Sequence, residues 1–363
     1  MTSLPSSSTV LHDAFSPNED CDGNLTLADC QALLARYGSQ SSAYFTLQQD
    51  TPRFGARSIG FIAYRVVRIP GFRFNIVFAN PVCDPKARSW LLGRFLKQVP
   101  GRHLFVGIDA AVSRDLAALG FRINEFGTEF SIDLTEFSLA GKHKKQLRHA
   151  ANLHKRSPVT VQEQAWDEVD AYQVATISSQ WRSTKAVGTR ELSLLTRPPV
   201  MSEEWGVRKF YGYLDGKLAG YVFFDPYFRD GRVAGYTANI LRQDLERAPT
   251  GLLDYIILQA MERFREEGVN EVSLGIAPLY NIEAMSHDRP MIRRVAQFLY
   301  NRGNRLYAFR ALGYHKSRYR AREAKWYIAT DSSSVLGIAW SILQGTGVLS
   351  LSTQWASDTA LRL

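Results

Sequence analysis

The stretch from residue 209 to residue 278 constrains the fold most. Three strand-like runs, 209–214, 218–225 and 233–241, follow one another closely. Asp215-Gly216 between the first two is the pair a tight hairpin turn favours. A long helical pattern then runs from 251 to 267, with Gly268 as its stop. A further strand, 271–276, leads into Ala277-Pro278. Meander strands, a helix and one more strand predict an α/β unit.

The residues before it have a roughly similar order. An amphipathic helix at 29–37 puts Leu33, Leu34 and Tyr37 on one face. Strands are predicted at 42–47, 59–67 and 72–78, and Asn80-Pro81 marks a turn. A helix at 86–98, a strand at 103–108, a short helix at 113–119 closed by Gly120, and a strand at 130–134 complete this unit. The chain has 363 residues, more than one ordinary domain needs. Both units follow the order of an acetyltransferase-like (GNAT) fold, so two such domains in tandem are predicted. The expected division is a disordered leader at 1–24, a first domain at 25–140, a basic linking helix at 141–158, a second, catalytic domain at 159–330 and an apolar extension at 331–363. Within the second domain, helix is expected at 169–181 and between 291 and 319, with a last strand at 326–329.

The net charge is +9, which favours partners that carry phosphates, such as nucleic acid or anionic lipid headgroups. Cys21, Cys30 and Cys83 are odd in number and fit no metal spacing, so they are expected as free thiols in a reducing compartment. No metal site is expected. The first residues have neither a basic start nor an apolar run, so no signal peptide is read there. The segment 335–351 lacks charges but is broken by Gly337, Gln344, Gly345 and Gly347. It is either an interfacial element or a helix and strand packed on the body.

Four local features carry chemistry. Thr250-Gly251 enters the long helix, and a glycine there lets backbone N–H groups approach an anion. The alternative is an ordinary cap, with Thr250 as N-cap and Asp254 favouring the helix dipole. Gly275-Ile-Ala277-Pro278 ends a strand and leaves backbone groups at its tip that can line an acyl site, although a plain strand-to-loop exit is the favoured reading of this motif alone. Two basic clusters follow: Lys142, Lys144, Lys145, Arg148, Lys155 and Arg156 in the linker, and Arg302 to Arg322 interleaved with Tyr307, Phe309, Tyr314 and Tyr319. They suit phosphate contacts, with a solvated basic face as the alternative. Last, Asn239 and Leu241 would share one strand face, with Arg242 turned to the other, where it either holds a phosphate or carboxylate or is a plain surface arginine after the strand.

The segment from Gly127-Thr-Glu129 to Arg148 resembles the one joining the two domains of aminoacyl-phosphatidylglycerol synthases, the catalytic domains of multiple peptide resistance factors. Trp181-Arg182-Ser-Thr-Lys and Glu191-Leu-Ser-Leu, the block from Asn239 through Gly251 and Asp254 to Gly275-Ile-Ala-Pro278-Leu, and Leu306-Tyr-Ala-Phe-Arg with Lys316-Ser-Arg318-Tyr319 are similar to further blocks of that family, in the same order. The resemblance implies two GNAT-like domains around a central tunnel. It also implies transesterification of an aminoacyl group from tRNA to a lipid hydroxyl, that of phosphatidylglycerol or a related lipid, with aminoacyl-tRNA as co-substrate and no other cofactor. Arg242, Lys316 and Arg318 would hold phosphate or transition-state charge, Asp254 and the Thr250-Gly251 turn would shape the acyl site, and Glu191 would recognise an α-ammonium group. Asn239, Gly275, Ala277, Pro278, Trp181, Arg182 and Tyr319 would line the substrate. Lys142, Lys144, Lys145, Arg148 and Arg156 would contact tRNA phosphates. Glu129 and His287 are the candidates for a general base. A body that must reach an embedded lipid is expected in the cytoplasm, peripheral at the inner face of the membrane.

Two departures matter. The family commonly has Asp where Asn239 stands, and losing that carboxylate argues against lysine as the group transferred. The last block reads Glu323-Ala-Lys-Trp326, without the family's usual Arg. An acyl-CoA-dependent transferase is the first rival, and the single glycine at residue 251 speaks against it. Others are a family member acting on a sterol or small hydroxylated metabolite, and a silent binding module.

Overall fold

The computed structural model describes residues 21, 24–49, 51–69, 71–183, 197, 199–286, 288–302 and 308–345. In the first half, α1 (Leu27–Tyr37) opens on a capping box. The Thr26 hydroxyl accepts from the Asp29 amide, and the Asp29 carboxylate accepts from Thr26 N–H. Strands β1 (Arg53–Ala56), β2 (Gly60–Ile69), β3 (Phe72–Phe78) and β4 (Val82–Cys83) follow, then α2 (Arg88–Gln98), β5 (Arg102–Ile108), α3 (Ala110–Ala118) and β6 (Arg122–Asp133).

The second half comprises α4 (Lys145–Ala151), β7 (Val159–Glu163), α5 (Ala171–Ser183), β8 (Arg208–Leu214), β9 (Lys217–Arg229), β10 (Arg232–Gln243), α6 (Leu252–Glu266) and β11 (Glu271–Pro278). After these come α7 (Pro290–Arg302), α8 (Phe309–Ser317), β12 (Arg322–Thr330) and α9 (Val335–Gly345). The fold is α/β, with two acetyltransferase-like halves in tandem, each a meander followed by a helix and a returning strand.

The halves share one sheet, ordered β1-β2-β3-β5-β12-β6-β11-β10-β9-β8-β7, with β4 paired to β2. β6 of the first half pairs antiparallel with β11 of the second. β12, last in sequence, lies between β5 and β6. The chain therefore returns to close the first half's sheet after building the second.

Alternation sorts the second half's side chains. Val222 and Phe224 face α6, where Phe264 meets Phe210, Phe224 and Tyr236 ring to ring. Tyr221 and Phe223 face α5, against Val174 and Ile177.

Three expectations need correction. Residues 42–47 are not a strand: Ala43–Leu47 is a 3-10 turn whose five side chains are all buried. A run buried all round lacks the alternation of a half-buried strand, and the Thr46 hydroxyl closes the turn on the Ala43 carbonyl. The linker 141–156 is not one helix. The α-helix covers only Lys145–Ala151, between 3-10 turns at Lys142–Lys144 and Leu153–Lys155. Thr250 does not cap α6; Gly251 does, in the left-handed region at φ 92° and with no side-chain bond.

Candidate active site

Parallel strands β10 and β11 pair only from Gly235–Thr237 to Glu271–Ser273. Beyond that they are no longer paired, although β10 continues to Gln243 and β11 to Pro278. On its other side, β11 stays paired with β6, through Ile276 opposite Glu129 and Pro278 opposite Gly127, after a register break between Ser273 and Ile276. Ala277 and Pro278 thus keep one partner strand, and it is the β10 side that opens. Gly275 sits in the break at φ 73°, a conformation that favours glycine.

Lys316 reaches this opening from α8. Its buried ammonium donates to the Ile276 carbonyl at 2.7 Å, and a side chain at Gly275 would begin 3.5 Å from Nζ. The glycine therefore leaves the approach to the cation clear. Burial brings the Lys316 pKa down to about 7, against the opposing charge of Glu129. Glu129 on β6 is buried too. Burial raises its pKa, while the hydrogen bond from the Ser273 hydroxyl favours its charged form. The Ser273 hydroxyl donates to Glu129 at 2.7 Å and accepts from Gly275 N–H at 2.9 Å.

The same turn of α8 ties down Asp254 in the first turn of α6. His315 Nε2 lies 2.9 Å from Oδ1, the Tyr319 hydroxyl donates to Oδ1 at 2.7 Å, and Arg318 Nη2 donates to Oδ2 at 2.9 Å. Burial alone would raise the Asp254 pKa; His315, Arg318 and Tyr319 outweigh it, and the pKa is lowered. Arg318 also donates to Gln146 on α4 at 3.1 Å. Asp254, Arg318 and Tyr319 therefore lock α8, α6 and α4 together, and their polar groups are spent on one another.

Asn239, Trp181 and Arg242 stand on the other face of the β9–β10 meander. Arg242 is buried, with its guanidinium 4.6 Å from the centre of the Trp181 ring on α5. Arg182 follows Trp181 and is half-buried. A bulge between Ala238 and Ile240 changes the register of β10. Leu241 consequently packs on the α6 side, whereas the Asn239 amide donates to Asp225 at 2.6 Å, so the two do not share a face as predicted.

Residues 31–330 match the model of the phosphatidylglycerol lysyltransferase C-terminal family. The chain belongs to that family. It is 22% identical over 273 residues to the phosphatidylglycerol lysyltransferase of Bacillus subtilis, covering 72% of this chain and 30% of that one. To the same-named protein of Staphylococcus haemolyticus it is 22% identical, covering 85% and 36%. It thus spans about a third of the length of these curated relatives. The solved structure of L-PGS from Bacillus licheniformis superposes with a TM-score of 0.72 at 17% identity, over 88% of this chain and 96% of that one. A C-terminal domain attributed to lysylphosphatidylglycerol synthetase, from Agrobacterium fabrum, gives 0.71 at 20% identity, over 89% and 98%.

Within this family frame, several site residues escaped the sequence reading. Asp225 lies in an otherwise apolar strand and accepts both Nε and Nη2 of buried Arg197. Arg197 also donates to Glu204 at 2.6 Å, and Lys209 stands 3.4 Å from the same carboxylate. The Arg197 guanidinium lies 5.3 Å from the Tyr44 ring of the first half, so this cluster joins the halves. A carboxylate inside the run Leu218–Phe228 was the available signal. His315 had none, because its partner lies 61 residues away.

In the linker, Arg148 is bonded to the Leu139 and Gly141 carbonyls and Lys144 to that of Ser138. Lys142, Lys145 and Arg156 are exposed. Glu191 and His287 lie outside the described residues.

Proposed function

We propose that this chain transfers an aminoacyl group from an aminoacyl-tRNA to the hydroxyl of phosphatidylglycerol or a related lipid. Family membership supports the class of reaction. The observation that carries the assignment of the site is the buried Lys316 ammonium at the parting of β10 and β11, with Gly275 leaving its approach clear.

The lipid hydroxyl oxygen attacks the ester carbonyl carbon. A new C–O bond forms, the C–O bond to the ribose breaks, and the hydroxyl proton ends on the ribose oxygen. One ester replaces another, so the step needs no ATP. The task left to the protein is orientation, exclusion of water and stabilisation of the oxyanion. A preorganised, buried ammonium suits the last of these, and Glu129 beside it is the candidate proton acceptor. Lys142, Lys145 and Arg156, exposed on the linker, are the candidates for contacts with tRNA phosphates. With Asn239 bonded to Asp225, and Asp225 already paired with Arg197, the amide adds no free carboxylate for a cationic amino acid. This favours a neutral aminoacyl group.

An acyl-CoA donor fits less well. Ala150 of α4 packs against Gly251, where an added Cβ would come within 3.3 Å of its methyl. The helix end that would face a pyrophosphate is thereby occupied by the linker.

No helix among the described residues is long and apolar enough to cross a membrane. The proposed location is peripheral, at the cytoplasmic face. The test uses tRNA charged with individual radiolabelled amino acids, phosphatidylglycerol or a total lipid extract, and counting of the organic phase. The expected outcome is RNase-sensitive label in lipid, lost in Lys316→Ala and Arg242→Ala. No label with any amino acid and any lipid would overturn the reading.

A further inference from the structure

Helices α7 and α9 cover one core. Ile292 of α7 and Ile338 and Ile342 of α9 pack into the same cluster, with Phe74, Ile76, Val106 and Phe126 of the sheet. Their outer faces are unusual for a protein surface. On α7, Met291, Arg294, Phe298 and Arg302 recur at helical spacing and are all exposed, Met291 by 55% and Phe298 by 65%. On α9, Leu336 and Trp340 stand one turn apart, 84% and 39% exposed. Neither helix contains an acidic residue, and α9 has no charge at all. An apolar face next to basic side chains is the pattern of a helix lying at a lipid–water boundary, with Trp at headgroup level.

We propose that the outer faces of α7 and α9 form one docking surface for an anionic lipid bilayer. Charge complementarity selects this occupant: Arg294 and Arg302 repeat along the same stripe as Met291 and Phe298, and each basic side chain there gains from a negatively charged leaflet. The surface also adjoins the candidate site. Ile276, whose carbonyl holds Lys316, packs against the same cluster as Ile292 and Ile342. Docking here sets the cleft beside the headgroups. The inference rests on the lipid-directed reading for its purpose, but binding is measured without catalysis.

The experiment is co-sedimentation of the full chain with vesicles of phosphatidylglycerol and phosphatidylcholine, or of phosphatidylcholine alone. We expect binding to the anionic vesicles, weakened by roughly 0.5 M salt. Arg294→Ala with Arg302→Ala should lower the partition about 25-fold. Leu336→Ser with Trp340→Ser should lower it about tenfold. With brominated lipid, quenching of tryptophan emission should fall in Trp340→Phe. All five side-chain changes are at exposed positions, so circular dichroism should stay unchanged.

Variants that bind like the parent chain would overturn the proposal. So would a dimer in solution that the α9 variant dissolves, because the occupant would then be a second copy. If the parent chain binds vesicles yet labels no lipid, docking stands and the transferase reading falls. If the variants lose vesicle binding but still label lipid dispersed in detergent, both stand.

Discussion

Lys316 stands on α8 and Asp254 on α6, and the environments of the two charges differ in kind. Asp254 is met by three side chains, from His315, Arg318 and Tyr319, and its pKa is lowered. Lys316 has, among the described residues, one hydrogen bond to a backbone carbonyl and a carboxylate nearby, and its pKa is brought down to about 7. A buried charge whose bonding positions are filled holds elements together. A buried charge with unused donors beside a glycine is placed for a ligand. This difference assigns stability to Asp254 and chemistry to Lys316, although the sequence resemblance gave both to the catalytic site.

The largest effect should come from Lys316→Ala. Loss of a preorganised donor to a developing oxyanion costs about 10²–10³ in kcat, with little change in melting temperature. If the protonated amine is the working form, transfer falls as pH rises through about 7. Lys316→Arg keeps its charge at that pH, so the residual rate of this variant should lack the falling limb. A parent profile that rises through pH 7 would instead make Lys316 the base.

Asp254→Ala should show the opposite split. Removing the shared partner leaves the buried Tyr319 hydroxyl without its acceptor and the half-buried Arg318 without its carboxylate, a loss of about 1–3 kcal/mol of stability. Urea unfolding measures it, and the transfer rate per folded molecule should fall by less than in Lys316→Ala. The pH dependence has a definite sign. The folded-state pKa lies below the ordinary 3.8, so this stabilisation is present above 3.8 and is lost as pH falls through the folded value. In Asp254→Ala the acid limb of the stability curve should be shallower.

The α/β order, the meander 209–241, helix α6 and strand β11 were legible in the sequence because each has its own period and its own turn residues. Lys316 and Asp254 were legible as candidates through the resemblance. Their different roles were not, since the partners that decide them come from β6, β11 and α8, far apart in the chain. The placement of β12 between β5 and β6 could not be read either, because nothing local in residues 322–330 names its neighbours. The bulge that separates Asn239 from Leu241 is one residue in a strand of otherwise regular alternation. At 42–47, burial on every side removed the alternation on which a strand assignment depends.

Gly275→Ala probes the open side of the comparison with a single methyl. The left-handed conformation at φ 73° costs a residue with a Cβ about 1–2 kcal/mol, so a modest loss of stability is expected whatever the function. The added carbon would stand 3.5 Å from Lys316 Nζ, in the space kept clear for a reacting group. Transfer should therefore fall by more than the stability loss accounts for, with the decrease in kcat rather than in the folded fraction.

The smallest effect should follow from His315→Gln, which removes one donor to Asp254 and leaves Arg318 and Tyr319 in place. A hydrogen bond to a charged group contributes about 1.5–3 kcal/mol, and the amide of glutamine recovers part of that. Chemical denaturation should thus show a loss near 1 kcal/mol, with transfer close to the parent rate. If His315→Gln instead abolishes transfer in a fully folded protein, the saturated cluster takes part in the chemistry, and the division between Asp254 and Lys316 is broken.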